Sequence, residues 1–140
     1  MRTLIVEDDF VCRRLLQSML KPYGEVDIAV NGVEALEAFK LALEEQKCYN
    51  LICIDILMPE MNGQELLKNI REYEEMMGIY GMDNVKIIMT TSIGDFGNIK
   101  SAFVEQCDAY MVKPIERKKL DEKLVELGLI TVDGNDANVH

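Results

Sequence analysis

The sequence predicts a doubly wound α/β domain, with five parallel strands in one sheet and helices on both of its faces. Three observations carry this expectation. Five short apolar runs alternate with five stretches of helical periodicity. The apolar runs are continuous, not alternating in polarity, as strands covered on both sides require. At 140 residues and 49% hydrophobic composition, the chain suits one compact core.

The elements follow in order. Thr3 to Val6 reads as a buried strand that stops at Glu7-Asp8-Asp9. Phe10 to Leu20 has helical spacing, with Val11, Leu15 and Met19 on one stripe and Cys12 and Leu16 on the next. Lys21-Pro22-Tyr23-Gly24 ends that helix. Val26 to Val30 is a second strand and Asn31-Gly32 a turn. Val33 to about Glu45 is a helix with Leu36, Phe39, Lys40 and Leu43 along one face. Tyr49 to Ile54 is the third and central strand, and Asp55 ends it. Met58 to Gly63 is a loop, and Gln64 to about Met77 a helix. After a loop over 78–84, Val85 to Met89 is the fourth strand and reaches Thr90-Thr91-Ser92. A fourth helix is expected near 97–105. Ala109 to Val112 is the fifth strand, ending at Lys113-Pro114, and Glu116 to Leu127 the last helix. Residues 1–128 form the expected domain and 129–140 a polar tail, rich in Gly, Asn and Asp from Thr131 onward.

Charge and cysteine content narrow the function. The formal net charge is −10, which argues against nucleic acid and anionic membranes and favours a cation or a basic partner. No apolar run is long enough to span a bilayer, and the N-terminus does not have the build of a signal peptide, so a soluble, cytoplasmic protein is expected. Cys12, Cys48, Cys53 and Cys107 form no Cys-x-x-Cys pair, and His140 is the single histidine. Zinc and cysteine–histidine catalysis are therefore not expected, and the thiols read as buried and reduced.

Four strands end on residues with chemical potential: Glu7-Asp8-Asp9, Asp55, Thr90-Thr91 and Lys113. In an open parallel sheet, ligands bind beyond the carboxyl ends of the strands, so these residues converge. Clustered carboxylates repel one another, and a hard divalent cation relieves that repulsion. Oxygen ligands without histidine suit Mg²⁺. With Lys113 as a second positive charge and Thr91 as a hydroxyl donor, the set fits phosphoryl transfer. Asp55 is the best-placed acceptor, and a carboxylate can itself be the nucleophile.

The motifs Val6-Glu7-Asp8-Asp9, Asn31-Gly32-x-Glu34-Ala35-Leu36, Ile54-Asp55-x-x-Met58-Pro59-x-Met61-Asn62-Gly63, Thr91-Ser92 and Asp108-Ala109-Tyr110-x-x-Lys113-Pro114 resemble the response-regulator receiver family, to about Leu127. The resemblance implies the flavodoxin-like strand order 2-1-3-4-5. It implies that Asp55 accepts phosphoryl from a sensor histidine kinase and that Glu7, Asp8, Asp55 and the Leu57 carbonyl hold Mg²⁺. Lys113 would pair with the phosphoryl group, Thr91 would turn to it, and Tyr110 would change rotamer. Counting back from Lys113-Pro114 puts the family's hydroxyl at Thr91, not Thr90. The implied output is a protein target, reached through the fourth helix, fifth strand and last helix. No DNA-binding domain is expected after Leu127, and a monomer or weak dimer is expected. The alternative is a relay intermediate that passes phosphoryl to a histidine phosphotransfer domain.

Some positions depart from the family pattern. Gln106-Cys107 stands where Gly-Ala is usual, and Glu74 to Asn84 is long. Leu57 and Ile93 are apolar beside the acceptor, so a long-lived phosphoryl group is expected. A phosphohydrolase would place Asp-x-Asp after the first strand, and a flavodoxin-type carrier would have a Ser/Thr/Gly-rich loop there. Glu7-Asp8-Asp9-Phe10 is neither, so a switch is expected, not a turnover enzyme.

Overall fold

A computed structural model describes residues 1–58, 60–92 and 106–133. Pro59, Ile93, the helix expected over 97–105 and the tail beyond 133 lie outside the described residues. The order along the chain is β1 (Arg2–Val6), α1 (Phe10–Leu20), β2 (Glu25–Ala29), α2 (Gly32–Glu44), β3 (Leu51–Asp55), α3 (Gly63–Met76), β4 (Lys86–Thr91), β5 (Ala109–Val112) and α4 (Arg117–Glu126). The five strands form one sheet in the order β2-β1-β3-β4-β5, and every pairing is parallel. The expected fold class and strand order are therefore observed.

Alternation along the strands divides the core in two. Leu4, Val6, Ile52, Ile54, Ile87 and Met89 pack with Phe39 of α2 and with Leu66, Leu67 and Ile70 of α3. Ile5, Leu51, Cys53, Ile88 and Met111 pack with Leu16, Met19 and Leu20 of α1 and with Leu120 and Leu124 of α4. Each such side chain taken out of water contributes about 1.5–3 kcal/mol before its entropy cost. The central strand β3 is buried along its whole length.

Three helices start on a side-chain cap next to the carboxyl edge of the sheet. Asp9 accepts from the Cys12 amide at 3.0 Å. Asn31 accepts from the Glu34 amide at 2.8 Å. Asn62 accepts from the Glu65 amide at 2.9 Å and returns a bond to the Glu65 carboxylate at 3.2 Å.

The structure corrects several expectations. On α1 the buried stripe is Leu16, Met19 and Leu20, while Val11 and Leu15 face solvent. The packed body runs past 128, because Leu129 and Ile130 are buried against the α1–α4 core. Of the four thiols only Cys53 is buried; Cys48 is exposed, and none is in a disulfide. Among the described residues, no helix is long and apolar enough to cross a membrane.

Candidate functional site

Sheet register brings the strand-end residues together. Val6 pairs with Ile54, so Glu7 and Asp55 leave adjacent strands side by side. Asp55 pairs with Thr90, and Thr91 with Val112. The Lys113 amide then donates to the Thr91 carbonyl at 2.7 Å, which fixes Lys113 at the same edge. The Lys113–Pro114 peptide is cis.

The Lys113 ammonium lies 2.7 Å from Glu7 Oε1 and 3.3 Å from Asp55 Oδ2. Glu7 is 1% exposed and Asp55 7%. The Glu7 contact is close but poorly aligned: Glu7 Oε1 is buried without a hydrogen-bond partner, so the contact is a charge pair only. Asp55 Oδ1 accepts from the Leu57 amide at 3.2 Å. One oxygen each from Glu7, Asp8 and Asp55 lie within 4.8 Å of one another, with Asp8 the exposed member. Asp9 is occupied as the α1 cap, which leaves Glu7 and Asp8 as the acidic pair. Arg13 donates to the Glu7 carbonyl at 3.0 Å and pins the acidic loop from outside.

The electrostatics follow from crowding. Burial and the neighbouring Glu7 carboxylate push Asp55 up to about 7. Burial also works against ionised Glu7, but its contacts with Asp55 and Lys113 outweigh it and hold Glu7 below the usual value. Burial likewise opposes the Lys113 ammonium, yet the two acids keep its pKa above normal. The cluster thus holds more negative charge than one lysine balances. An all-oxygen donor set, three acids against a single described lysine and an acceptor driven toward protonation together fit a hard divalent cation such as Mg²⁺.

The remaining expected residues sit on the β4–β5 side. Thr91 is buried, and its hydroxyl donates to the Ser92 carbonyl at 3.2 Å. By alternation it shares a sheet face with Met89, whose register partner on β5 is Tyr110, 37% exposed. Thr90 points to the opposite face, with its hydroxyl 3.4 Å from the Ile54 carbonyl. Met58 is buried, and Leu57 is exposed.

Two contributors escaped sequence reasoning. Gly63 opens α3 directly on the backbone of the site. Its amide donates to the Ile56 carbonyl at 3.0 Å, and a Cβ there would collide with the Asp55 carbonyl oxygen. The Met58-to-Gly63 loop signal marked the position but not this contact. The second lies outside the site: a charge cluster around buried Glu74 at the opposite edge of the sheet. Arg71 reaches Glu74 at 2.7 Å, Asp108 at 3.0 Å and the carbonyls of Val85 and Gln106 at 2.9 Å.

Comparison with known proteins agrees with this geometry. The family described as response regulator receiver domain matches residues 3–125. The chain is 33% identical over 132 residues to a chemotaxis protein CheY homolog of Campylobacter jejuni, covering 91% of this chain and 92% of that protein. It is similar to the receiver domain of Ssk1, solved in complex with the histidine phosphotransfer protein Ypd1 of Saccharomyces cerevisiae. There the TM-score is 0.75 at 28% identity, over 91% of this chain and 88% of the other. It is also similar to a chain of the CheX-CheY-BeF3-Mg complex of Borrelia burgdorferi, with TM-score 0.70 at 25% identity over 91% and 88%. Other curated relatives are longer: the chain spans 47% of one and 12% of another.

Proposed function

We propose, because the chain belongs to the response regulator receiver domain family, that it is a phosphoryl-accepting switch with Asp55 as the acceptor. One observation carries the reading: Asp55 is a buried carboxylate at the end of the central strand, 3.3 Å from a lysine ammonium and inside a cluster of three acids. An Asp55 oxygen forms a P–O bond to the phosphorus of a phosphohistidine on a sensor histidine kinase. The P–N bond breaks, its electron pair stays with the imidazole, and that ring takes up a proton. An aspartyl phosphate results. Lys113 pairs with the transferred oxygens. Glu7, Asp8, Asp55 and the Leu57 carbonyl would hold Mg²⁺, which when bound neutralises charge on the phosphoryl group.

The readout runs through residues already at the edge. The Thr91 hydroxyl leaves the Ser92 carbonyl for the phosphoryl group, and Tyr110 on the same sheet face changes rotamer. The altered surface is that of β5 and α4, with the helix expected over 97–105. A donor's histidine has to reach Asp55, so its domain seats over the rim beside α1, where Phe10 and Val11 are exposed. Two discrete surface states, biased by charge at Asp55, make a switch and not a turnover enzyme. The protein then acts by protein contact as a stand-alone cytoplasmic regulator, monomeric or weakly dimeric, with no nucleic-acid partner. Apolar Leu57 beside the acceptor disfavours attack by water, so the aspartyl phosphate is long-lived; rapid loss from the isolated domain would count against that part.

A second reading is a relay intermediate that exchanges phosphoryl with a histidine phosphotransfer domain. The similarity to a receiver solved with Ypd1 favours it. Transfer from the phosphorylated protein to such a domain separates the two readings.

The central test is incubation with a small phosphodonor and Mg²⁺, followed by intact mass. The wild type gains one phosphoryl group and Asp55→Asn gains none. Equal modification of Asp55→Asn overturns the assignment.

A further inference from the structure

We propose that the edge of the sheet opposite the acidic site is a docking surface for a basic amphipathic helix of a partner protein. The surface lies where α3 ends and the chain returns to β4. Within seven residues, Met76, Met77, Tyr80 and Met82 are 71%, 54%, 63% and 93% exposed. A cluster of large exposed apolar side chains of this kind marks an interaction site.

The segment is held in shape, so this exposure is built in. The Gly78 amide donates to the Glu75 carbonyl at 3.1 Å, the Ile79 amide to Glu74 at 2.9 Å and the Asn84 amide to Gly81 at 3.2 Å. The Tyr80 hydroxyl donates to the Glu75 carbonyl at 3.3 Å. Gly78 and Gly81 both take positive φ, at 75° and 64°, which side-chain-bearing residues rarely adopt. Ile79 and Asp83 of the same segment line a cavity of about 390 Å³, together with Phe39 and Leu43 of α2 and Val85. An apolar anchor from a docked helix fits there, with the methionines packing along its flank. Methionine is the side chain suited to such adaptable contact.

The charge of the surface selects the occupant. Residues 72–83 carry four acids, Glu72, Glu74, Glu75 and Asp83, and no lysine or arginine. Glu74 is buried and paired and Glu72 lies 4.0 Å from Lys68, which leaves Glu75 and Asp83 in the segment that carries the methionines. A second copy of this chain would bring the same acidic rim against itself. A helix with apolar residues on one face and lysine or arginine on the other complements both features.

The probe is a synthetic amphipathic helix with leucine on one face and lysine on the other. Binding is read by fluorescence anisotropy and by ¹³C-methyl methionine NMR on the full chain. The expected result is saturable binding that weakens with salt and shifts the methyls of Met76, Met77 and Met82. The variant M76Q/M82Q weakens binding by about tenfold. E75Q/D83N weakens it and flattens the salt dependence. Both variants alter exposed side chains, and an unchanged Tm confirms folding. Asp55→Asn binds as the wild type does, so this result is separate from the phosphoryl assignment. Shifts centred on Met58 and Met61 would place the peptide on the acidic site and overturn the proposal. So would equal binding of a glutamate-faced peptide, no saturable binding, or a dimer that M76Q/M82Q dissolves.

Discussion

The two edges of the sheet are built from the same ingredients and finish differently. At the amino edge, buried Glu74 is fully bonded. Arg71 and Asn84 donate to Oε1 at 2.7 and 3.2 Å, and the Val85 amide donates to Oε2 at 2.8 Å. Asp108 is shared between Arg71 and the Ile87 amide at 3.0 and 2.8 Å. At the carboxyl edge, equally buried Glu7 keeps one oxygen without a hydrogen bond, and Asp55 is driven up to about 7. The acids of the amino-edge network are matched by Arg71 and backbone amides, whereas the three acids at the carboxyl edge meet a single described lysine and keep a charge demand that a ligand can meet.

Stability gives the largest test of that contrast. Glu74→Ala removes one of two acids from Arg71 and leaves the Val85 amide without its acceptor, so it should cost about 1–3 kcal/mol in urea unfolding. Asp55→Asn removes a repelled carboxylate and should change metal-free stability by less than about 1 kcal/mol, in the stabilising direction. A Glu74→Ala cost as small as that would erase the distinction between the edges.

Metal binding gives the next test. Asp55 is raised, so without metal it keeps its proton until the pH approaches about 7. A cation displaces that proton, so Mg²⁺ affinity should climb as pH rises toward 7 and level off above it. Titration calorimetry at several pH values measures this, and an affinity flat from pH 5 to 8 would sink it. Among the described residues, Lys113 is the cation that pairs with both Glu7 and Asp55, and Lys113→Met removes it. It should move the climb upward by about one pH unit and slow phosphoryl labelling by about tenfold or more.

Thiol chemistry gives the smallest effect, again comparing the two edges. Cys12, beside Glu7, and buried Cys53 are both pushed up to about 12, by burial first. Cys48, which lines the cavity at the other edge, is exposed. A maleimide should label Cys48 first, part-exposed Cys12 much more slowly and Cys53 only on unfolding, as peptide mapping would show.

The contrast also explains what could be read from sequence. Strand-end residues are legible because a parallel sheet collects them at one edge whatever the loops do, which groups Glu7-Asp8-Asp9, Asp55, Thr90-Thr91 and Lys113; the family resemblance then selects Glu7 with Asp8, and Thr91 over Thr90. The bounds of α1 and β5 were legible from their flanking Asp9, Pro22, Asp108 and Pro114. The buried stripe of α1 was not, because two neighbouring stripes both carry apolar residues and only packing on the sheet chooses Leu16, Met19 and Leu20. The Arg71–Glu74–Asp108 cluster was not legible either. Its members look like ordinary surface charges, and they meet only once α3, β4 and β5 are in place. Leu129 and Ile130 fall in the expected tail because the polar, Gly/Asn/Asp-rich composition that follows them hides their packing on the α1–α4 core.

Both ends of α3 are anchored, at Gly63 against the Asp55 backbone and at Arg71 and Glu74 against β4 and β5. Its 14 residues span about 21 Å. Contacts at both ends should keep α3 in place while other surfaces move, and hydrogen exchange slower in α3 than in α1 would show it. For anyone following this molecule with distance rulers, α3 is therefore the fixed benchmark, and displacements elsewhere are best surveyed from it.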